Sequence, residues 1–182
     1  MAGSISLTNS SGNTILLNGE SFKHGIGKVF QTVGYVTAVQ GSQTISTVDT
    51  VVNNIAKVII PKGFNSQFLV YARWFGEVVS AWDTCWNIHM DGVRVNINGQ
   101  GRNWGIGIPA QGYYAGDDNS TPETMSFHTL VQTASLVGVP ISFSLVMDTS
   151  SSRTLWNNRC FGVPASNYEC GTSEIIITEI GA

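Results

Sequence analysis

The chain has 182 residues, a length suited to one domain with a sizeable core. Only 12% are charged, the formal net charge is −3 and no Lys/Arg cluster occurs, which argues against nucleic acid as a partner because phosphate recognition needs a concentrated basic patch. No apolar run reaches the roughly 20 residues of a membrane-spanning helix, and the opening MAGSISLTNSSGN lacks the basic start and apolar core of a signal peptide, so no membrane partner is expected and the mature chain should begin at or near Met1.

Residues 1–26 are polar, with small apolar clusters at Ile5 to Leu7 and Ile15 to Leu17 on either side of Asn9-Ser10-Ser11-Gly12-Asn13. Such a segment can pair as a small hairpin but cannot build a core. It reads as an attachment arm laid against a neighbouring subunit, with Ile5, Leu7, Ile15 and Leu17 as the gripping residues. The alternative is an arm folded back on its own domain.

From Gly27 the strand signals become regular, and residues 27–182 read as one β domain. GKVFQTVGYVTAV is β-branched or aromatic at nearly every second position. Gln43 to Val48 and Lys57 to Ile60 follow, then a turn at Pro61-Lys62-Gly63. Gln67 to Gly76 is apolar on both faces, with Phe68, Val70, Ala72 and Trp74 on one and Leu69, Tyr71 and Phe75 on the other. An isolated sandwich should show water one face of such a strand, so the second face is expected to meet another chain.

Thr84 to Met90 is a strand, and Asp91-Gly92 turns it into Val93, Val95 and Ile97 as a hairpin. Asn98 to Thr124 and Thr149 to Ser173 read as long surface loops. Between them, Met125 to Asp148 holds the pair of strands against which the rest is built. Phe127 and Val131 share one face, while His128, Leu130 and Gln132 share the other. Ile141, Phe143, Leu145 and Met147 then alternate with Ser142, Ser144, Val146 and Asp148. Helical spacing from Ile141 meets Ser144 and Asp148 and breaks the apolar stripe. Pro140, which cannot donate to a ladder, belongs at a strand start or an edge. Glu174 to Ile180 closes the chain as a final strand. With no convincing helix and no fixed repeat, the expected fold is all-β, an antiparallel jelly-roll β-sandwich with a short N-terminal arm.

The sequence carries little that points to catalysis. His24, His89 and His128 have no ligand spacing and read as structural. Asp117-Asp118-Asn119 lacks the spacing of a helix-loop-helix calcium site. Two of Glu77, Asp83, Asp117, Asp118 and Glu123 could meet as the carboxyl pair of a glycoside hydrolase, but nothing in the sequence selects them. There is no nucleophile elbow, phosphate loop or dinucleotide fingerprint, and no helical pattern follows GRNWGIG. Neither an enzyme nor a cofactor or metal is therefore expected. Cys85 reads as a small buried hydrophobe, and Cys160 and Cys170 flank a loop that a disulfide could close. Trp82, Trp104, Tyr113, Tyr114 and Trp156 lie at or beside loops among amides and hydroxyls, the combination that sugar recognition uses. The competing reading is that these rings pin the loops onto the sandwich.

Five stretches, in order, carry a resemblance: GKVFQTV from Gly27, KVIIPKGFNSQFLVYARW from Lys57, NIHMDG from Asn87, YYAGDDNSTPETMSFHTL from Tyr113 and SEIIITEIGA from Ser173. The chain resembles the small β-sandwich virion proteins of phages of cyanobacteria and other marine bacteria, which are similar to tumour-necrosis-factor-type trimeric jelly rolls. The resemblance covers roughly residues 27–182, and Gly27, Lys28, Val29 and Phe30 match the family's opening. It implies a homotrimer projecting from the virion with an apolar face of each protomer at the three-fold axis. Leu69, Tyr71, Phe75, Phe127, Ile175 and Ile177 are the candidates for that interface. The Trp-rich loops and the two loop cysteines depart from the family, so no binding site is carried over. Two roles are implied: a decoration or cement protein that binds the major capsid protein on the outer surface of the shell, or a fibre head that reads a host surface glycan through its tip loops. A fibre needs a shaft, and the short arm favours the first role.

Overall fold

The computed structural model describes residues 6–8, 14–17, 20–21, 27–78, 84–95, 122–161 and 169–181. Three short strands, β1 (Ser6–Thr8), β2 (Thr14–Leu17) and β3 (Glu20–Ser21), form an antiparallel sheet of their own, with Leu7 opposite Ile15. Two larger antiparallel sheets follow. The first runs β4 (Val29–Thr37), β13 (Ser173–Ile180), β7 (Gln67–Val78), β12 (Arg153–Asn157) and β5 (Gly41–Ile45), and β10 (Glu123–Gln132) also pairs with β7. The second runs β6 (Thr50–Ile59), β11 (Ile141–Thr149), β8 (Thr84–Met90) and β9 (Val93–Arg94).

The chain passes from β6 to β7 to β8, and again from β9 to β10 to β11 to β12, by changing sheets, so the expected jelly-roll sandwich is observed. β10 and β11, the two strands of Met125 to Asp148, therefore do not pair with each other. β10 hydrogen-bonds to β7 and β11 lies between β6 and β8. β12 falls inside the stretch expected to be loop. Its few residues, RTLWN, bury only Leu155 and Asn157, too short a pattern to stand out from its neighbours. β5 starts at Gly41 and β6 at Thr50, both earlier than their apolar content suggests.

The split of β7 into two faces is the feature that organises the core. Phe68, Val70, Ala72 and Trp74 are fully buried and meet Trp86, Ile88, Phe143, Leu145 and Met147 of the opposite sheet. Ring centroids lie 5.1 Å apart for Trp74 and Trp86, 5.3 Å for Trp86 and Phe127, and 5.6 Å for Phe68 and Phe143. Each such pair contributes about 0.5–1.5 kcal/mol beyond its buried area. Trp74 Nε1 donates to Asn157 Oδ1 at 2.8 Å, and Asn157 Nδ2 donates to Gln43 Oε1 at 3.0 Å, so the buried indole carries its polar atom to β12 and β5. Gly76 is needed where β7 meets β12, because a Cβ there would lie 1.9 Å from the Trp156 carbonyl oxygen.

Two turns fix the register at one pole. Asp91 and Gly92 both adopt positive φ, 51° and 79°, the geometry of a tight hairpin between β8 and β9. At the same pole the β6–β7 turn is held by Glu179 of β13, whose carboxylate is fully buried. It accepts from the backbone N–H of Lys62 (2.9 Å) and Gly63 (2.8 Å), from Ser66 Oγ (2.8 Å) and from Gln31 Nε2 (2.7 Å). Burial alone would raise this carboxyl. The hydrogen bonds from Gln31, Ser66, Gly63 and Lys62 outweigh it and hold the group below its ordinary 4.5.

Candidate functional site

The outward face of the β4–β13–β7–β10 sheet is built by register. Gly34, Ile176, Tyr71 and His128 form one row across it, and Thr32, Thr178, Leu69 and Leu130 form the next. A third row, Val36, Glu174, Arg73 and Ser126, carries an ion pair between Arg73 Nε and Glu174 Oε1 at 3.1 Å. Leu69 and Leu130 are 40% and 51% exposed, and Tyr71 and Ile176 are half-buried. A nearly neutral surface with an apolar centre results. Its polar members, Thr32 and Thr178 among them, hydrogen-bond to each other at 3.2 Å.

The six residues expected at a subunit interface divide between the two sides of this sheet. Leu69 and Tyr71 lie on the outward face. Phe75 also points outward, but the backbone of Gly171 lies against its ring, 2.6 Å from where a Cβ would stand, so its own chain covers it. Phe127, Ile175 and Ile177 are corrected: they are buried in the protomer's own core, 6%, 0% and 0% exposed, and cannot face another chain. The three consecutive isoleucines of β13 hide the strand's parity in the sequence. The pairing of Ile175 with Ala72 and Ile177 with Val70 sets it and turns Ile176 outward instead. Leu130, which the sequence placed on the face away from Phe127, joins Leu69 there.

Of the arm residues, Leu7 lies in β1 and Ile15 and Leu17 in β2, while Ile5 falls outside the described residues. Among the loop aromatics, Trp82, Trp104, Tyr113 and Tyr114 also fall outside them. Trp156 is corrected from loop to strand. It sits in β12 opposite Glu77 and Ser42, with the Phe161 ring edge-on at 5.2 Å and the Arg159 guanidinium 4.5 Å from its ring centroid. The segment after β12 thus folds back over β7. Asn158 N–H donates to the Phe75 carbonyl, Phe161 N–H to Glu77, and Gly171 N–H to the Asn158 carbonyl.

No disulfide joins Cys160 and Cys170. Arg159 pairs with Cys170, so Cys160, one residue on, turns to the other side of that ribbon. Cys160 is buried and Cys170 exposed. Burial, then Glu77 and Glu169, push the Cys160 thiol up to about 12, and burial with Asp148 pushes Cys85 up to about 11. Iodoacetamide at neutral pH is therefore expected to modify Cys170 in the folded protein and to spare Cys85 and Cys160, with all three modified after unfolding. Peptide mass spectrometry reads the result.

His89 proves to have a carboxylate partner that spacing along the chain could not reveal. Its Nε2 lies 2.9 Å from Asp49 Oδ2, which also accepts from Arg94 Nε at 3.0 Å, and Arg94 reaches Asp148 at 3.4 Å. Burial would raise Asp49, but the hydrogen bonds from Arg94 and His89 hold it below its ordinary value. The cluster fastens the β5–β6 connection to the β8–β9 hairpin. Of the five acids considered for a carboxyl pair, Asp83, Asp117 and Asp118 fall outside the described residues, and Glu123 pairs along the ladder with Gly76, next to Glu77. Burial raises the Glu123 carboxyl and the nearby Glu77 raises it further, while Glu77 is occupied by the Phe161 N–H. Among the described residues no group of three His, Cys, Asp or Glu side chains could hold a metal ion.

No family model matches the chain, and no curated protein matches it. Among solved structures it is similar to one titled "Structure of infectious bursal disease virus Gx strain", with a TM-score of 0.31 and 14% identity, over 100% of this chain and 41% of that one. The chain thus spans less than half the length of that protein.

Proposed function

We propose that the chain is a virion structural protein, a homotrimeric decoration protein on the outer surface of a capsid, where it binds the major capsid protein. The observation that carries this reading is the outward face centred on Leu69, Tyr71, Leu130 and Ile176, an apolar surface on a sandwich that already has a complete core of its own. Its occupant is a second copy of the same chain. Among the described residues of the face, Arg73 and Glu174 balance each other as an ion pair, so identical faces meet round a three-fold axis without like-charge repulsion. A low proportion of charged residues in the whole chain, 12%, fits a protein that spends its life packed against others.

The arm then supplies the attachment. Deleting Met1 to Phe22 is expected to leave a folded trimer that no longer joins undecorated capsids, as read by co-sedimentation. Full occupancy by the truncated chain would reject the arm's role. The alternative reading, a fibre head that recognises a host glycan, is separated by imaging particles with an antibody to this chain. Labelling over the shell supports decoration, and labelling confined to the tail supports the fibre.

A further inference from the structure

The register of the sandwich brings several chain reversals to one pole. Gln67 pairs with both Gln132 and Ile180, Ile180 with Val29, and Ile141 with Ile59, so the β6–β7 turn, the β10–β11 connection and the start of β4 all meet there. The two loops are hydrogen-bonded to each other: Gly138 N–H donates to the Pro61 carbonyl at 3.0 Å, Asn65 N–H to the Ser135 carbonyl at 3.0 Å, and Ser66 N–H to Ser135 Oγ at 2.8 Å. On this fixed base Ile60, Phe64, Leu136, Val137 and Val139 project to solvent, from 46% exposed at Val137 to 70% at Phe64. Beside them a shallow groove of about 380 Å³ is lined by Asn65, Gln67, Gln132, Thr133 and Ala134. An apolar knob next to a carboxamide-lined rim has the anatomy of a protein interface.

The same pole is where the arm joins the sandwich. Gly27 N–H donates to the Gly181 carbonyl at 2.7 Å and Gly181 N–H to the Lys28 carbonyl at 2.8 Å, which ties the junction between residues 1–26 and β4 to the end of β13. Cys160 and Cys170 lie at the far pole, beyond β12.

Resting on the decoration reading, we propose that this pole faces the shell and that the knob formed by Ile60, Phe64, Leu136, Val137 and Val139 docks into an apolar recess of the capsid subunit the arm grips. The arm and knob leave the sandwich side by side, so one partner surface engages both. The loops are pinned by Glu179 and Ser135 before any partner arrives, and they present fixed relief at little ordering cost. A bilayer is the less suitable partner. The knob's exposed side chains are aliphatic or Phe, without the Trp and Tyr that settle at a lipid interface.

The test uses the full chain and undecorated capsids. The double variant Phe64→Ser/Leu136→Ser is expected to bind roughly 100-fold more weakly than the unaltered chain, with an unchanged melting temperature because both side chains stand in solvent. Val39→Ser, exposed at the opposite pole, is expected to bind normally. Equal binding by the double variant would overturn the shell-facing assignment while leaving the decoration reading intact. Failure of the unaltered chain to bind capsids would overturn both. If the unaltered chain floats with phosphatidylcholine vesicles and the double variant does not, the partner is a bilayer and the proposal fails.

Discussion

Glu179→Ala is expected to lower the free energy of unfolding by about 3 kcal/mol, because it leaves hydrogen-bonded donors without their charged acceptor. Four groups from two parts of the chain converge on this carboxylate: Gln31 of β4, and the Lys62 amide, Gly63 amide and Ser66 hydroxyl of the β6–β7 turn. A side chain of the same shape does not restore the site. Glu179→Gln turns an amide NH₂ toward a set of N–H and O–H donors and is expected to recover less than half of the loss. Urea denaturation at one fixed protein concentration measures the effect, since association adds its own concentration-dependent term.

The same residue gives a pH dependence with a definite sign. Its carboxyl titrates lower in the folded protein than its ordinary 4.5, so the folded state favours the charged form more than the unfolded chain does. The stability it contributes is present above that ordinary value and is lost as pH falls through the lower, folded one. Unfolding of the native protein is therefore expected to become easier below about pH 4.5, and the Glu179→Gln variant should show a flatter acid limb. Parallel limbs would remove Glu179 from the account of acid stability.

The second large effect concerns the proposed trimer. Leu69→Asp and Tyr71→Asp are each expected to yield a soluble single copy, because a carboxylate forced into a dry interface without a partner costs several times the thermal energy. Both side chains stand on the outward face and neither contributes to the core, so the sandwich itself should fold. Light scattering reads the mass and circular dichroism the fold. Phe75→Asp is a poorer probe of association. Its ring lies under Gly171, and the change would instead unseat the segment that returns over β7. An unchanged mass for both Leu69→Asp and Tyr71→Asp would reject this face as the subunit contact.

Several parts of the fold were legible residue by residue. Asp91-Gly92 announced a hairpin because a tight two-residue reversal needs positive φ at both positions, which these residues tolerate. β7 announced its core face because Phe68, Val70, Ala72 and Trp74 recur at every second position, and its second face, with Leu69, Tyr71 and Phe75, as apolar too. β13 did not, since three isoleucines in a row satisfy either parity, and both of its expected interface residues, Ile175 and Ile177, turned out to be core. The arm's pairing was visible as two apolar clusters, whereas β12 was hidden among Arg, Thr and Asn.

The sequence alone determined the all-β class, the antiparallel sandwich and most of the strand positions, because the period of two and the turn residues are local properties of a few neighbouring side chains. Tertiary structure alone decided which strand joined which sheet, which isoleucine faced outward, and that Glu179, 117 positions along from Lys62, would hold its turn. The physical reason is that hydrogen-bond partners and register depend on what lies opposite in space, and nothing in a strand's own residues states what that will be.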